Sequence, residues 1–182
     1  MKLEIFDAKQ RPLKVDDIKA IVDIECHPKV REWLIEYIGN VEKELLAYKR
    51  FFRRLRKNRR AEVLVAKSGK RVVGFLGLWR LGRFMDHVAT IGVSVHPTYW
   101  GNGIATRLIK EAIRLAREQG VVRLEVETLR DNTAMRHVAE KSGFKLESIR
   151  KKRLQKDGSF HDEASYYLLL ESARPHLLGA KD

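Results

Sequence analysis

The sequence predicts an α+β fold: a mixed, mainly antiparallel sheet flanked by helices, with a central parallel strand–helix–strand crossover. Three observations carry this. Apolar runs of strand length recur along the chain, some alternating and some continuous. Stretches with apolar residues at helical spacing separate them. Between 61 and 95 three strand-like runs follow one another through short turns, which makes a meander. The next strand comes only after a helix-length segment, which makes a crossover.

The elements follow in order. "LEIFDA" (3–8) alternates and reads as a first strand. Asp16 and Asp17 open a helix through "IKAIVDIEC". After His27-Pro28 a second helical stretch carries Trp33, Leu34, Ile35 and Tyr37, until Gly39 and Asn40 break it. "VEKELLAYKRFFRRLRKNRR" (41–60) reads as a third helix, with Leu45, Leu46, Phe51, Phe52 and Leu55 roughly on one side. "AEVLVAK", "SGK" and "RVVGFLGLWRL" form strand, tight turn and strand, and "GRFMD" turns into a strand over 87–95. A helix over about 103–119 ends at Gly120, and "VVRLEVET" is the next strand. "NTAMRHVAEKSGF" is a helix closed by Gly143, and "KLESIRKKRL", "KDGS" and "FHDEASYYLLL" make a closing hairpin. With no internal repeat or linker, residues 1–182 read as one domain.

Composition narrows the function classes. The 44% apolar and 34% charged fractions suit a globular protein and argue against disorder. A single cysteine, Cys26, excludes an intrachain disulfide framework and reads as a buried or half-buried structural residue. No run approaches the roughly 20 apolar residues of a membrane span, and "MKLEIFDAKQ" lacks the apolar block of a signal peptide. The expectation is a cytoplasmic protein without membrane partners. Thirty-seven Lys and Arg against 24 Asp and Glu give a net charge of +13, which favours polyanionic partners. The basic helix 41–60 reads as a solvated face that retains nucleic acid only non-specifically.

The chemistry concentrates in "YWGNGIAT" (99–106), a glycine-bearing turn between a strand and an amphipathic helix. Glycines there let backbone pass close to a ligand and aim unpaired helix N–H groups at an anion. A P-loop is excluded, since Gly101 and Gly103 are too close together and no Lys follows. A dinucleotide turn is approached by Gly101-Asn102-Gly103-Ile104-Ala105-Thr106, with Glu125 or Glu127 in the place of the ribose-binding acid. Its context is wrong, because a meander precedes the turn.

"VSVHPTYWGNGIATRLI" resembles motif A of the GCN5-related N-acetyltransferases, whose turn reads Q/R-x-x-G-x-G/A; Trp100 replaces Gln/Arg, and Gly103 and Ala105 match. "LRDNTAMRHVAEKSGFKL" resembles motif B, with Asn132 opening the helix and Gly143-Phe144 closing it. The resemblance covers about residues 61–170. It implies acetyl-CoA as co-substrate, its pyrophosphate held by Trp100, Gly101, Asn102, Gly103, Ile104, Ala105 and Thr106. It also implies a V-shaped splay of two strands, with the pantetheine arm paired on Val93, Ser94 and Val95 and contacted by Asn132. Asn132 reads otherwise as a plain helix N-cap.

Acetyl transfer to an amine needs a proton sink, and a carboxylate working through water supplies one. Glu127 is the chosen base: "ETLRDN" places it five residues before Asn132, the spacing seen in ribosomal-protein alanine and protein-lysine acetyltransferases. Glu125, on the same strand face, is the substitute, with His87 and Asp86 more distant. Either glutamate also reads as a surface carboxylate paired with Lys or Arg. Where relatives often carry a thiolate-protonating Tyr, this chain has Ala139, so either another group such as His137 or a water does this, or the thiolate leaves unassisted. No metal is expected. The acceptor is expected to be a protein or peptide amine held between the first helices and the C-terminal hairpin, on a monomer or homodimer. The alternatives are a small-molecule (polyamine, amino acid or antibiotic) N-acetyltransferase, and a basic RNA- or ribosome-associated module that keeps the fold without the enzyme.

Overall fold

The computed structural model describes residues 2–35 and 39–171. Among them seven strands form one sheet in the order β1-β2-β3-β4-β5-β7-β6. The chain runs through β1 (Leu3–Asp7), α1 (Val15–Cys26), α2 (Pro28–Arg31), α3 (Val41–Leu55), β2 (Ala61–Ser68), β3 (Arg71–Gly82) and β4 (Met85–Val95). It continues through α4 (Ile104–Glu118), β5 (Arg123–Leu129), α5 (Thr133–Lys141), β6 (Lys145–Lys156) and β7 (Ser159–Leu169). All neighbours pair antiparallel except β4 and β5, which are parallel across the α4 crossover.

Strand alternation builds two cores, one on each sheet face. Leu64, Leu76 and Leu78 point to the side covered by α4 and α5, where they meet Leu108, Ile109, Leu124 and Tyr166. Val63, Val65 and Phe75 point the other way, onto Ile21 and Ile24 of α1 and Leu55 of α3. Cys26 sits half-buried at the end of α1, and burial pushes its thiol pKa up.

Two helices are shorter than their sequence patterns suggest. α2 stops at Arg31, so Trp33, Leu34 and Ile35 lie in turns; Tyr37 falls outside the described residues. The carbonyls of Arg31, Glu32 and Leu34 accept hydrogen bonds from Lys156 Nζ at 2.7, 2.7 and 3.1 Å, so the closing hairpin takes acceptors that a longer helix would have used. α3 stops at Leu55: Lys57 and Asn58 N–H groups bond back three residues, and Asn58 Oδ1 then accepts from Arg60 N at 2.9 Å. Within α3, Leu46 is exposed rather than facing the core.

The feature that positions the site is a fork in the sheet. β4 pairs with β5 only over Val88, Ala89 and Thr90. Beyond Thr90, residues 91–95 stay registered with β3 but have no partner on β5, whose own residues 126–129 pair with β7. The V opens toward the C-terminal ends of both strands. There β4 leads into the glycine turn and β5 into the start of α5, the place where α/β sheets present crevices.

Candidate active site

At the mouth of the fork β4 gives way to a single helical turn (Pro97–Tyr99) and then to residues 100–103. Gly101 and Gly103 have φ of +76° and +70°, and a Cβ on either would meet nothing within 4 Å. Both therefore need the left-handed region that glycine tolerates, and both face open space that a ligand can fill. Ile104 is buried and anchors the helix start, with Ala105 packed against the same core. The Arg107 N–H bonds Gly103 O at 3.0 Å, so the N–H groups of Ile104, Ala105 and Thr106 precede the helix's own ladder. α4 has no acidic residue in its first turn and no side-chain cap. Its positive end is thus uncompensated and open to an anion.

Two turn residues act as staples. The Trp100 indole N–H donates to Val95 O at 2.7 Å, tying the turn to the end of β4. Asn102 Nδ2 donates to the carbonyls of Tyr99 and Trp100 at 3.2 and 3.1 Å. On the strand leading in, Ser94 is buried and Val93 half-buried, with Val95 in the core. On the far arm of the V, Asn132 caps α5, its Oδ1 accepting from Met135 N at 3.1 Å. Its Nδ2 has no partner among the described residues. Ala139 is fully buried, and His137 is exposed.

Thr90 lies opposite both Trp79 and Glu125, which puts Trp79, Glu125 and Glu127 on the sheet face opposite α4. Trp79 lies across Gly77, where an added Cβ would collide with the indole. Glu125 Oε1 accepts from Arg123 Nε at 2.6 Å. Glu127, at the lip of the fork, is ion-paired with Arg150 of β6, which also contacts Glu163 of β7. Burial, and then the neighbouring Glu127 charge, raise the pKa of Glu163. One guanidinium thus serves two carboxylates, only one of them exposed. Asp86 is paired with Arg80, and His87 is exposed.

Beside this cluster is a cleft of about 220 Å³ lined by Glu32, Trp33, Leu129, Arg130, His161 and Asp162. One wall comes from the turn after α2 and the other from β5 and β7. Lys156, at the end of β6, ties the turn after α2 to the β6–β7 hairpin. Asp162 accepts from Lys151 Nζ at 2.8 Å and Lys152 N at 3.0 Å and pairs with Arg130, which lowers its pKa to about 2.

Sequence reasoning missed Trp79, Arg150, Glu163 and Lys156. Each reads as an ordinary strand residue until the register brings it beside the fork or the cleft.

A splayed strand pair, a glycine turn aimed at an anion and a carboxylate at the fork define a domain suited to an extended, phosphorylated co-substrate. Comparison with known proteins agrees. Residues 27–144 match the Acetyltransferase (GNAT) family, and the chain belongs to that family. It is 41% identical over 97 residues to the N-alpha-acetyltransferase RimI of Mycobacterium tuberculosis; the match covers 52% of this chain and spans only 58% of that relative's length. It is 24% identical over 144 residues to a putative [ribosomal protein bS18]-alanine N-acetyltransferase of Bacillus subtilis, covering 79% of this chain and 85% of that protein. In fold it is similar to YncA, described as a putative acetyltransferase from Salmonella typhimurium with its cofactor acetyl-CoA. The TM-score is 0.76 at 19% identity, covering 96% of this chain and 98% of that one.

Proposed function

We propose that this protein is an acetyl-CoA-dependent N-acetyltransferase acting on a protein or peptide amine. The observation that carries the reading is the pair of left-handed glycines, Gly101 and Gly103, opening the turn at the mouth of the β4–β5 fork. Backbone N–H groups of residues 102–106 hold the pyrophosphate. The edge at Val93, Ser94 and Val95, which has no strand partner on β5, takes the pantetheine arm as a short extra strand, and Asn132 Nδ2 reaches it from the other arm. The thioester then lies in the fork, with Glu127 on the face from which the amine arrives.

The reaction follows. The neutral amine nitrogen attacks the thioester carbonyl, the C–S bond breaks, and CoA leaves as thiolate. Glu127 accepts the ammonium proton through water, while the thiolate is protonated by solvent or His137. Arg150 orients the Glu127 carboxylate through their ion pair. Orientation in the fork supplies a further part of the rate.

The acceptor enters the cleft between the turn after α2 and the β6–β7 hairpin, with Trp33, Leu129 and Trp79 as apolar contacts. A protein or peptide acceptor is supported by the relatives, the mycobacterial one an N-alpha-acetyltransferase and the Bacillus one a putative [ribosomal protein bS18]-alanine N-acetyltransferase. The remaining parts of the reading are a single domain spanning 1–182, a monomer or homodimer, and a cytoplasmic location. Among the described residues no helix is long and apolar enough to cross a membrane.

The test is thiol release from acetyl-CoA against a panel of Ala- and Met-initiated peptides, polyamines and amino acids. Turnover on peptides alone supports the proposal. Turnover confined to polyamines or amino acids makes this a small-molecule enzyme. Without turnover on the panel or a thermal shift with acetyl-CoA, the enzyme reading falls. A ligand at about 100 times its dissociation constant adds about 2.7 kcal/mol, or about 5–10 °C in a domain of this size.

A further inference from the structure

Eight of the twelve residues from 49 to 60 are Lys or Arg, and none is acidic. They account for most of the net charge of +13. Elsewhere Arg80, Arg123, Arg130 and Arg150, in or beside the sheet, each meet a carboxylate. None of the eight cations of 49–60 has an ion-pair partner among the described residues. The opposite side of α3 is occupied, since Leu55 is buried and Tyr48, Phe51 and Phe52 pack against the core under α1. Lys49, Arg50, Arg53 and Arg54 of α3 therefore lie on the helix side away from the core, with Arg56 at its C-cap; Lys57, Arg59 and Arg60 follow in the turns beyond, where Arg60 lies against Gly82.

That face borders a groove of about 400 Å³. Lys49, Arg53 and Arg56 form one wall; Pro12, Leu13 and Val15 form the other, with Phe52 between them. The three cations stand at i, i+4 and i+7, on one line along the helix at successive heights of about 6 and 4.5 Å. A line of positive charge beside an apolar, partly aromatic wall suits a chain with regularly spaced phosphates and exposed bases. We infer that this groove and the outer face of α3 form a docking surface for single-stranded RNA.

Two features favour this occupant. Six of the eight cations are Arg, whose forked donors match phosphate oxygens. The apolar wall gives unstacked bases a surface to lie on, which a duplex does not offer because its bases are already stacked. The surface lies on the sheet face opposite α4, so a bound strand leaves the glycine turn open. It goes beyond the acetyltransferase reading and stands or falls separately from it.

The test is fluorescence polarisation of the full chain with a labelled oligouridylate of roughly 12 nucleotides, from about 50 to about 300 mM KCl. Binding should weaken linearly on a log–log plot. In the triple variant Lys49→Gln, Arg53→Gln, Arg56→Gln the slope should become shallower by about 2, since each contact to a single strand contributes about 0.7. If the triple variant does not fold, Arg53→Gln alone should change the slope by about 0.7. Acetyl-CoA affinity should not change in either. No binding at the lowest salt, or an unchanged slope in the folded variants, overturns the inference. So does an oligoglutamate of equal length that competes as well as RNA, which would mark an acidic protein partner, or a duplex that binds more tightly.

Discussion

Replacing Gly103 with Val separates the role of the turn in folding from its role in binding. The residue has φ of +70°, and a Cβ there meets nothing within 4 Å. The substitution thus brings conformational strain but no collision. A β-branched residue held in the left-handed region costs about 1–2 kcal/mol, or about 2–8 °C in melting temperature for a domain of this size. The effect on the ligand is larger, because the valine methyls occupy the space before the N–H groups of Ile104, Ala105 and Thr106. Two lost charge-assisted hydrogen bonds at about 1.5–3 kcal/mol each weaken CoA binding by about 10²–10⁴-fold. Calorimetry with CoA reads this directly, and pantetheine, which lacks the pyrophosphate, serves as the control and should bind both proteins alike. A folded Gly103→Val protein with unchanged CoA affinity would refute the reasoning, and an equal loss for pantetheine would place the damage outside the phosphate cradle.

Other substitutions read the remaining parts of the site. Glu127→Gln should lower kcat by about 10²–10⁴ and leave the acetyl-CoA dissociation constant unchanged, with the loss shrinking at high pH, where more amine is already neutral. Glu125→Gln, whose carboxylate is tied to Arg123, should cost under about tenfold; near-normal turnover in the Glu127 variant moves the base elsewhere. Lys156→Met releases the turn after α2 from the hairpin and should raise the acceptor KM without changing acetyl-CoA affinity; equal losses for both substrates would make its role a general one. Asp162 has its pKa lowered from 3.8 to about 2, first by Lys151 and then by the Lys152 N–H. Its stabilising contribution is therefore complete above about pH 4 and lost as pH falls toward 2. The melting-temperature gap between wild type and Asp162→Asn should be constant from neutral pH to about 4 and close below it, whereas a gap that ignores pH contradicts the assignment.

Local signals explain which parts were legible in the sequence. Strands and helices from 61 onward follow from apolar periodicity, and Gly101 and Gly103 announce the turn because a left-handed backbone leaves few other choices. The α2 pattern misleads because a lysine more than a hundred residues away takes the helix-end carbonyls. Register is equally non-local. Glu127 is marked in the sequence by its spacing to Asn132, but its neighbours Arg150 and Glu163 come beside it only through the pairing of β6 and β7. The residues of the resemblance also carry structural duties that the motif does not state: Asn132 Oδ1 caps α5, Trp100 secures the end of β4, and Asn102 folds back on the turn.

The central claim is that acetyl-CoA lies along the fork with its phosphates on the glycine turn. Backbone amide exchange with and without acetyl-CoA tests it most directly. The N–H groups of Ile104, Ala105 and Thr106 precede the helical ladder, so they should exchange fast in the unliganded protein and slow markedly on binding. Residues 93–95 should gain partial protection, because one side of β4 is already paired with β3. α3 and β1 should be unaffected. Protection confined to α3, or none at 93–95 and 104–106 with the site saturated, would contradict the account.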